Sequence, residues 1–306
     1  MQHFNKVLLT GVNGQVGHAL KQNLVDDKKI ELFALSREQL DFFNQDEIRR
    51  VIRKIKPDLI INPAAYTAVD KAESEPELAF AINAQAPRVL AEEAAKLNAL
   101  LVHYSTDYVF DGNKTNPYVE ADATNPLSIY GKSKLAGEQA IRDVDAAHLI
   151  FRTSWVYGAY GKNFLKTILR LASEHDSLKI VGDQFGAPTS SLTIADATMN
   201  ILNQQDSQNQ TNQLGVYHMT NTGRTSWHGF AAEIVAQYAQ LPLKNDRPTL
   251  KVKVADVAAI TTAEYPTPAI RPLNSSLDLT KLSKTFNIQL PAWQQALSDV
   301  LNVIDC

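Results

Sequence analysis

The chain has a single cysteine, Cys306. One thiol excludes an internal disulfide framework, which fits a reducing cytoplasm, and Cys306 itself reads as a chain-terminal residue rather than a reactive thiol. No apolar run reaches membrane-spanning length. The first residues, Met1 to Lys6, are short and polar and lead directly into a strand-like run, unlike a secretion signal. There is neither a basic stripe nor an acidic tail; the net charge is -3, with both signs scattered, so no nucleic-acid surface is expected. The seven histidines lack metal-ligand spacing, and His103 and His218 read as buried neighbours of strand ends. No internal repeat is visible. What is present is ordinary globular composition: 306 residues, 44% hydrophobic and 21% charged, enough for one large domain or two fused ones.

The first half alternates β-rich runs with helical periods. Val7-Leu8-Leu9-Thr10 is a buried-strand pattern, and Val16, Leu20 and Leu24 follow at helical spacing. Ile30 to Leu35 reads as a second strand. Asn44 and Glu47 form a capping pair before the apolar stripe Ile48, Val51, Ile52 and Ile55, and Pro57 ends that helix. Leu59-Ile60-Ile61, Leu100 to Tyr104 and Leu149-Ile150-Phe151 are further strands. Between them Ser74 and Glu77 cap a helical stretch running towards Lys96 and interrupted near Asn83. This alternation predicts an α/β chain with a doubly wound, Rossmann-type parallel sheet covered on both faces. After Thr153 the rhythm loosens. Gly182 to Ser191 reads as loop, the Gln/Asn-rich stretch Asn203 to Gln213 as an exposed loop, and Ser226 to Gln240 as a late helix. We expect a nucleotide-binding domain over 1–153 and a smaller, mainly substrate-binding domain over 154–306, with about 190–220 returning to the first.

Gly11-Val12-Asn13-Gly14-Gln15-Val16-Gly17 follows a strand and opens a helix. Glycines Gly11, Gly14 and Gly17 suit a tight turn, backbone approach to a pyrophosphate, and close helix–strand packing; the helix N-terminus offers free N–H groups to phosphates. An NAD-preferring loop places a carboxylate after the second strand. Here the strand ends Leu35-Ser36-Arg37, a hydroxyl and a guanidinium suited to a 2′-phosphate, which favours NADPH with NADH as the alternative; otherwise Arg37 is a solvated surface residue. Asp41 lies close enough in sequence to contact the adenine region.

Tyr130 and Lys134, in Tyr130-Gly131-Lys132-Ser133-Lys134, stand four residues apart, on one face of a helix. A tyrosine with pKa near ~10 needs help to exchange protons at neutral pH, and a nearby ammonium favours the phenolate. Ser105-Thr106-Asp107-Tyr108 ends a strand, where open α/β sheets place their sites; Thr106, or failing that Ser105, would hold a carbonyl.

These motifs together resemble the extended short-chain dehydrogenases, and among them the reductase family of dTDP-4-dehydrorhamnose. The resemblance rests on Gly11 to Gly17, Thr67 to Glu73, His103 to Phe110, Tyr130 to Lys134, Phe151 to Tyr157, Asp183 to Thr189 and Arg271 to Ser275, in order over nearly the whole chain. It implies reduction of the 4-keto group of dTDP-4-dehydro-L-rhamnose by NADPH, a sugar-nucleotide substrate and a cytoplasmic location. It implies Gly14, Gln15 and Val16 at the pyrophosphate, Asp41 and Phe42 near the adenine, and Ala65, Tyr66, Thr67 and Tyr104 along the cofactor channel. Thr106, Tyr130 and Lys134 would form the catalytic triad, with Asp107 bonded to the deoxysugar and Trp155 packed on it, unless Trp155 is plain core. Some members hold a magnesium ion between subunits with glutamates; the matching positions here are Ala19, Leu192 and Gln294, which supply no carboxylate, so no metal and a monomer or a metal-independent weak dimer are expected. Arg271 is expected at the substrate diphosphate, with an interdomain salt bridge as the alternative. An epimerase or dehydratase of the same fold, or a non-catalytic subunit like the regulatory one of methionine adenosyltransferase, are the competing functions. The missing carboxylate after the second strand speaks against the former, and the complete triad against the latter.

Overall fold

In the computed structural model, which describes residues 4–205, 213–242 and 248–304, side-chain alternation decides the layers. The elements follow in the order β1 (Lys6–Leu9), α1 (Gln15–Val25), β2 (Glu31–Ala34), α2 (Gln45–Ile55), β3 (Leu59–Asn62), α3 (Val69–Ala72), α4 (Pro76–Phe80), α5 (Ala86–Leu97), β4 (Leu100–Thr106), α6 (Ile129–Asp143) and β5 (His148–Thr153). The second half continues with β6 (Val156–Tyr157), α7 (Phe164–Glu174), β7 (Leu178–Val181), β8 (Phe185–Gly186), β9 (Thr189–Ser190), α8 (Ser191–Gln204), β10 (Gly215–His218), β11 (Thr225–Ser226), α9 (Trp227–Ala239), β12 (Val257–Ile260), α10 (Thr280–Phe286) and α11 (Trp293–Val303).

Six strands form a wholly parallel sheet in the order β10-β5-β4-β3-β1-β2. Val7 and Leu9, Leu59 and Ile61, and Val102 and Phe151 face one side, where they pack on Leu20 and Leu24 of α1 and on Ile194 and Ile201 of α8. Leu8, Ile60, Leu101 and Ile150 face the other, against Ile48 and Ile52 of α2, Val89 and Leu90 of α5 and Ile141 of α6. Strands buried on both faces need such double cover, which is why their runs are apolar without polar alternation. The chain passes from β1 to β2 on one side and to β3 on the other, so a crevice opens beyond the carboxyl ends of β1 and β3. The sixth strand, β10, comes from the second half, as does α8. A separate core of α7, α9 and α11 packs Ile168, Phe230, Ile234, Trp293 and Leu297. Around it lie three two-stranded pairs, β11-β8, β12-β7 and β6-β9.

Asn44 caps α2, its side chain accepting from Glu47 N at 3.1 Å. The expected Ser74–Glu77 cap does not form: Glu75 is the N-cap of α4, without a side-chain capping bond, and the Ser74 hydroxyl donates back to Lys71 O at the end of α3. The interruption near Asn83 is a π-helical turn, Ala81–Gln85, between α4 and α5. Gly182 to Ser191 holds the short strands β8 and β9 rather than loop alone. Asn203 and Gln204 end α8; most of the expected polar loop after them, and Cys306, lie outside the described residues.

Candidate active site

The dinucleotide loop is shaped by what its glycines exclude. Gly11 has φ +58, and a Cβ on Gly17 would lie 2.2 Å from Gly11 O. Only glycine lets the first turn of α1 close so tightly on the end of β1. The N-cap of α1 is Gly14, which has no side chain to offer, and no acidic residue occupies the first turn. The N–H groups there remain available for an anion. They border a cavity of about 580 Å³ that also takes in Ser36, Arg37, Asp41, Phe42, Ala65, Tyr66, Thr67, Tyr104, Tyr130 and Lys134. Among the described residues Arg37 forms no ion pair. Ser36 is engaged: its hydroxyl donates to Glu38 at 2.5 Å. A carboxylate thus does stand near the end of β2, two residues beyond the position read from sequence, on an exposed side chain.

Gln15 spans the cleft. Its amide donates to Val156 O at 3.2 Å and accepts from Asn163 at 3.0 Å. This ties the dinucleotide loop to the second half and brings Lys162, another cation without an ion pair among the described residues, to the cavity wall. Tyr104 contributes differently than expected. Its phenol turns away to Thr198 at 2.7 Å, and its carbonyl is what faces the site.

Helix α6 delivers Tyr130 and Lys134 because its start is held from three directions. Ser128 accepts from Gly131 N at 3.2 Å and Glu73 from Ile129 N at 2.8 Å. Asn83, in the π turn, accepts from Tyr66 N at 2.8 Å, and its amide nitrogen reaches Tyr66 O and the Ser133 hydroxyl, both at 3.0 Å. The π turn therefore clamps the loop after β3 to the catalytic helix. Below it lies a buried ion pair, Arg152 on Glu138 at 2.7 and 2.9 Å. The Ser105 hydroxyl donates to the same carboxylate at 2.5 Å, which draws it into the buried ion pair.

Thr106 stays with the reacting side. Its hydroxyl donates to Asp107 at 2.9 Å and accepts from Tyr108 N at 3.2 Å. Burial pushes the Tyr130 phenol up to about 12; the neighbouring Thr106 hydroxyl opposes that shift and the Asp107 charge adds to it. The expected lowering by Lys134 is absent from this shift; the ammonium donates instead to Tyr104 O at 2.6 Å. Burial brings Lys134 itself down to about 8, with Glu138 opposing. Tyr130 is therefore protonated at neutral pH, the form a proton donor needs. Asp107 is raised to about 6, by burial first, and one of its oxygens is buried without a partner. Such an atom is costly unless a ligand meets it.

Trp155 is not plain core. It is half-buried, adopts φ +47, a strained conformation for so bulky a residue, and stacks on Trp227 at 3.6 Å and 8°. Arg271 takes the alternative role: it pairs with Asp70 at 2.8 Å and reaches Thr267 and Ala269 O, tying the segment after β3 to the C-terminal part. The motif segments Asp183 to Thr189 and Arg271 to Ser275 meet backbone to backbone, Phe185 N on Leu273 O and Ser275 N on Phe185 O, both at 2.8 Å. The sequence reading missed Asn83, Glu73, Glu138, Arg152, Trp227 and Lys162. Glu138 left a signal in spacing, one further turn along the face of Tyr130 and Lys134; Glu73 and Arg152 lay inside the motif segments and Asn83 marked the helix interruption, but no local spacing encoded their contacts, nor those of Trp227 and Lys162.

Over residues 5–306 the chain matches the RmlD substrate binding domain family. It is 45% identical over 294 residues to a dTDP-4-dehydrorhamnose reductase of Burkholderia thailandensis, covering 95% of this chain and 96% of that protein. The chain belongs to the dTDP-4-dehydrorhamnose reductase family. Another member, from Escherichia coli K12, is 43% identical, with 97% of each chain covered. The Bacillus anthracis member, whose crystal structure was solved in complex with NADP, superposes with a TM-score of 0.87 at 35% identity, covering 97% of this chain and 99% of that one. That likeness extends over both halves, so in this family the parallel sheet and the smaller helical part travel together. None of the helices in the described residues is long and apolar enough to cross a membrane, and no cluster of three or more His, Cys, Asp or Glu could hold a metal among them.

Proposed function

We propose that this chain reduces the 4-keto group of dTDP-4-dehydro-L-rhamnose to give dTDP-L-rhamnose, with NADPH as reductant and NADH as the weaker alternative. One observation carries the reading: the half-buried Tyr130 sits on the same cavity as an uncapped helix N-terminus behind a glycine cradle. The residues present fit a dinucleotide. Gly11, Gly14, Gln15, Val16 and Gly17 would hold its pyrophosphate and Ser36 and Arg37 its 2′-phosphate. Asp41 and Phe42 would take its adenine end, and Ala65, Tyr66, Thr67, Tyr104 and Lys134 its nicotinamide end. When bound, NADPH supplies a hydride to the keto carbon.

The chain's own groups do the rest. Thr106 holds the keto oxygen, and Tyr130 gives that oxygen its proton, so no free alkoxide forms. Lys134, charged below about 8, places its positive charge on the wall of the same cavity. Asp107 meets sugar hydroxyls with its unpartnered oxygen, and Trp155, held by Trp227, packs on the deoxysugar ring. Arg271 acts chiefly through Asp70, closing the substrate part on the first half. We place the working boundary near residue 153 and the enzyme in the cytoplasm, as a monomer or a metal-independent weak dimer, since Ala19, Leu192 and Gln294 offer no carboxylate.

Mixing the protein with NADPH, with and without a 4-keto sugar nucleotide, tests the reading. NADPH should be consumed in step with the sugar. No oxidation with any 4-keto sugar nucleotide would sink it, and product released without net NADPH consumption would mark an epimerase or dehydratase.

A further inference from the structure

Lys134 is almost wholly buried and has no ion pair among the described residues. Besides Tyr104 O its contact is His103 Nε2, at 3.3 Å. His103, fully buried on β4, places its other ring nitrogen 3.0 Å from the amide of Asn62, its register partner on β3. Asn62 in turn meets the hydroxyl of Thr10, just past β1, at 2.7 Å. A continuous hydrogen-bonded line thus crosses three adjacent strand ends beneath the cleft. It begins at Thr10 and ends at Lys134, both of which border the cavity.

We propose that His103 is a positioning residue for the reduction, its Nε2 accepting from the Lys134 ammonium while Asn62 and Thr10 fix the ring tautomer. The proposal rests on the reductase reading above. The hydrogen count supports it. An ammonium has only donors, so Nε2 must be unprotonated and the ring proton must sit on Nδ1. That proton needs an acceptor, the Asn62 carbonyl oxygen, and the Asn62 amide nitrogen then donates to the Thr10 hydroxyl. In the structure the amide nitrogen faces Nδ1 and the Thr10 hydroxyl donates to the amide oxygen; in that orientation the ring proton falls on Nε2 and faces the ammonium donor to donor. A half-turn of the amide removes the conflict. Burial, and then the Lys134 charge, hold His103 neutral, well below its ordinary value. Tyr130 and Glu138 on α6, Tyr104 and Ser105 on β4, and Arg152 and His148 on β5 complete the polar groups around the pair. Glu138 raises Lys134, and Arg152 is bound to Glu138, not to the lysine. An acceptor for the ammonium favours its charged form. Without His103, Lys134 loses its proton at lower pH, and the alkaline limb of turnover moves down with it.

Imidazole nitrogen NMR of the ligand-free protein, with the His103 signals assigned from their loss in His103→Gln, reads the tautomer directly. The proposal expects the Nδ1–H form; an Nε2–H form overturns it. This measurement needs no activity, so it stands apart from the reductase reading, which fails separately if the wild type oxidises no NADPH. The second arm compares pH profiles of kcat. In His103→Leu the alkaline limb should move down by about one pH unit or more, the effect of losing a hydrogen bond to a charged group. In His103→Gln, whose side-chain oxygen reaches the Nε2 position, it should stay near the wild type. Limbs that move equally in both variants, or in neither, would show that the histidine only fills space.

Discussion

Two helices begin at the rim of the same cavity and are finished in opposite ways. The first turn of α6 is completed by the protein, with Ser128 accepting from Gly131 N and Glu73 from Ile129 N. The first turn of α1 is left bare behind Gly14. A helix end with its own caps makes a rigid mount, and α6 uses that to aim Tyr130 and Lys134. A helix end without them has N–H groups still to be satisfied, which is what an anion-binding end requires. Capping thus separates the end of the cleft proposed to perform chemistry from the end proposed to hold the cofactor.

The largest effect should come from breaking the α6 end. Tyr130→Phe removes the proton donor and keeps the ring against Tyr108, so kcat should fall ~10²–10⁴-fold while NADPH affinity holds. Retention of more than about a tenth of the wild-type rate would rule out Tyr130 as the acid.

The comparison can be inverted at α1. Gly14 is in extended conformation, φ -86, and a Cβ there would meet Gly11 O at 3.2 Å, tight but within reach of a small shift. Gly14→Asp would give α1 the cap it lacks, worth ~0.5–2 kcal/mol to the helix, and would set a carboxylate where the phosphates go. Titration calorimetry should show NADPH binding weakened by about 100-fold, roughly 2.7 kcal/mol, with the melting temperature near that of the wild type. Unchanged affinity would mean that this end does not hold the cofactor.

Asp107 sharpens the contrast from the substrate side. Its carboxyl is raised to about 6 from an ordinary 3.8. A raised acid contributes stability in full only below its unfolded value and loses it as pH climbs through the folded one. Above about 6 the buried carboxylate is therefore a net cost. Asp107→Asn should be more stable than the wild type at pH 7–8, by about 3 kcal/mol, and the gain should vanish towards pH 4; its substrate KM should rise. Denaturant melts at both pH values decide this, and an equal difference at each would show that ionisation is irrelevant.

The smallest effect concerns the outer lip. Ser36→Asp with Arg37→Ala exchanges a hydroxyl and a cation for a carboxylate, and should move the NADPH/NADH ratio of kcat/KM by about tenfold towards NADH, as loss of a single charge-assisted contact would. Because Glu38 already sits beside Ser36, an unmoved ratio would hand the 2′-position to Glu38 or Lys162.

Five of the six strands of the parallel sheet, the glycine turn, the Asn44 cap and the Tyr130–Lys134 face were legible because each is local; β10 was not read as a strand. Periods of two and 3.6, a turn that only glycine allows, and a spacing of four residues are all written within a few positions. Ser74 and Glu77 matched a local capping pattern and still lost, because Ser74 lies in the turn that ends α3, where Lys71 O is nearer. Arg271 shows the same limit over a longer range. Its sequence neighbours allowed either a phosphate or a salt bridge, and Asp70, 201 positions away, took it. The amino-acid order by itself therefore determined most of the layers, the glycine loop and which side chains are proposed to react. Tertiary structure alone decided that Ser105 donates to Glu138 while Thr106 donates to Asp107, how far burial raises the Tyr130 phenol, and that Asn83, Glu73 and His103 stand behind the site. Those outcomes depend on distances between segments far apart in the chain and on how much water their packing removes.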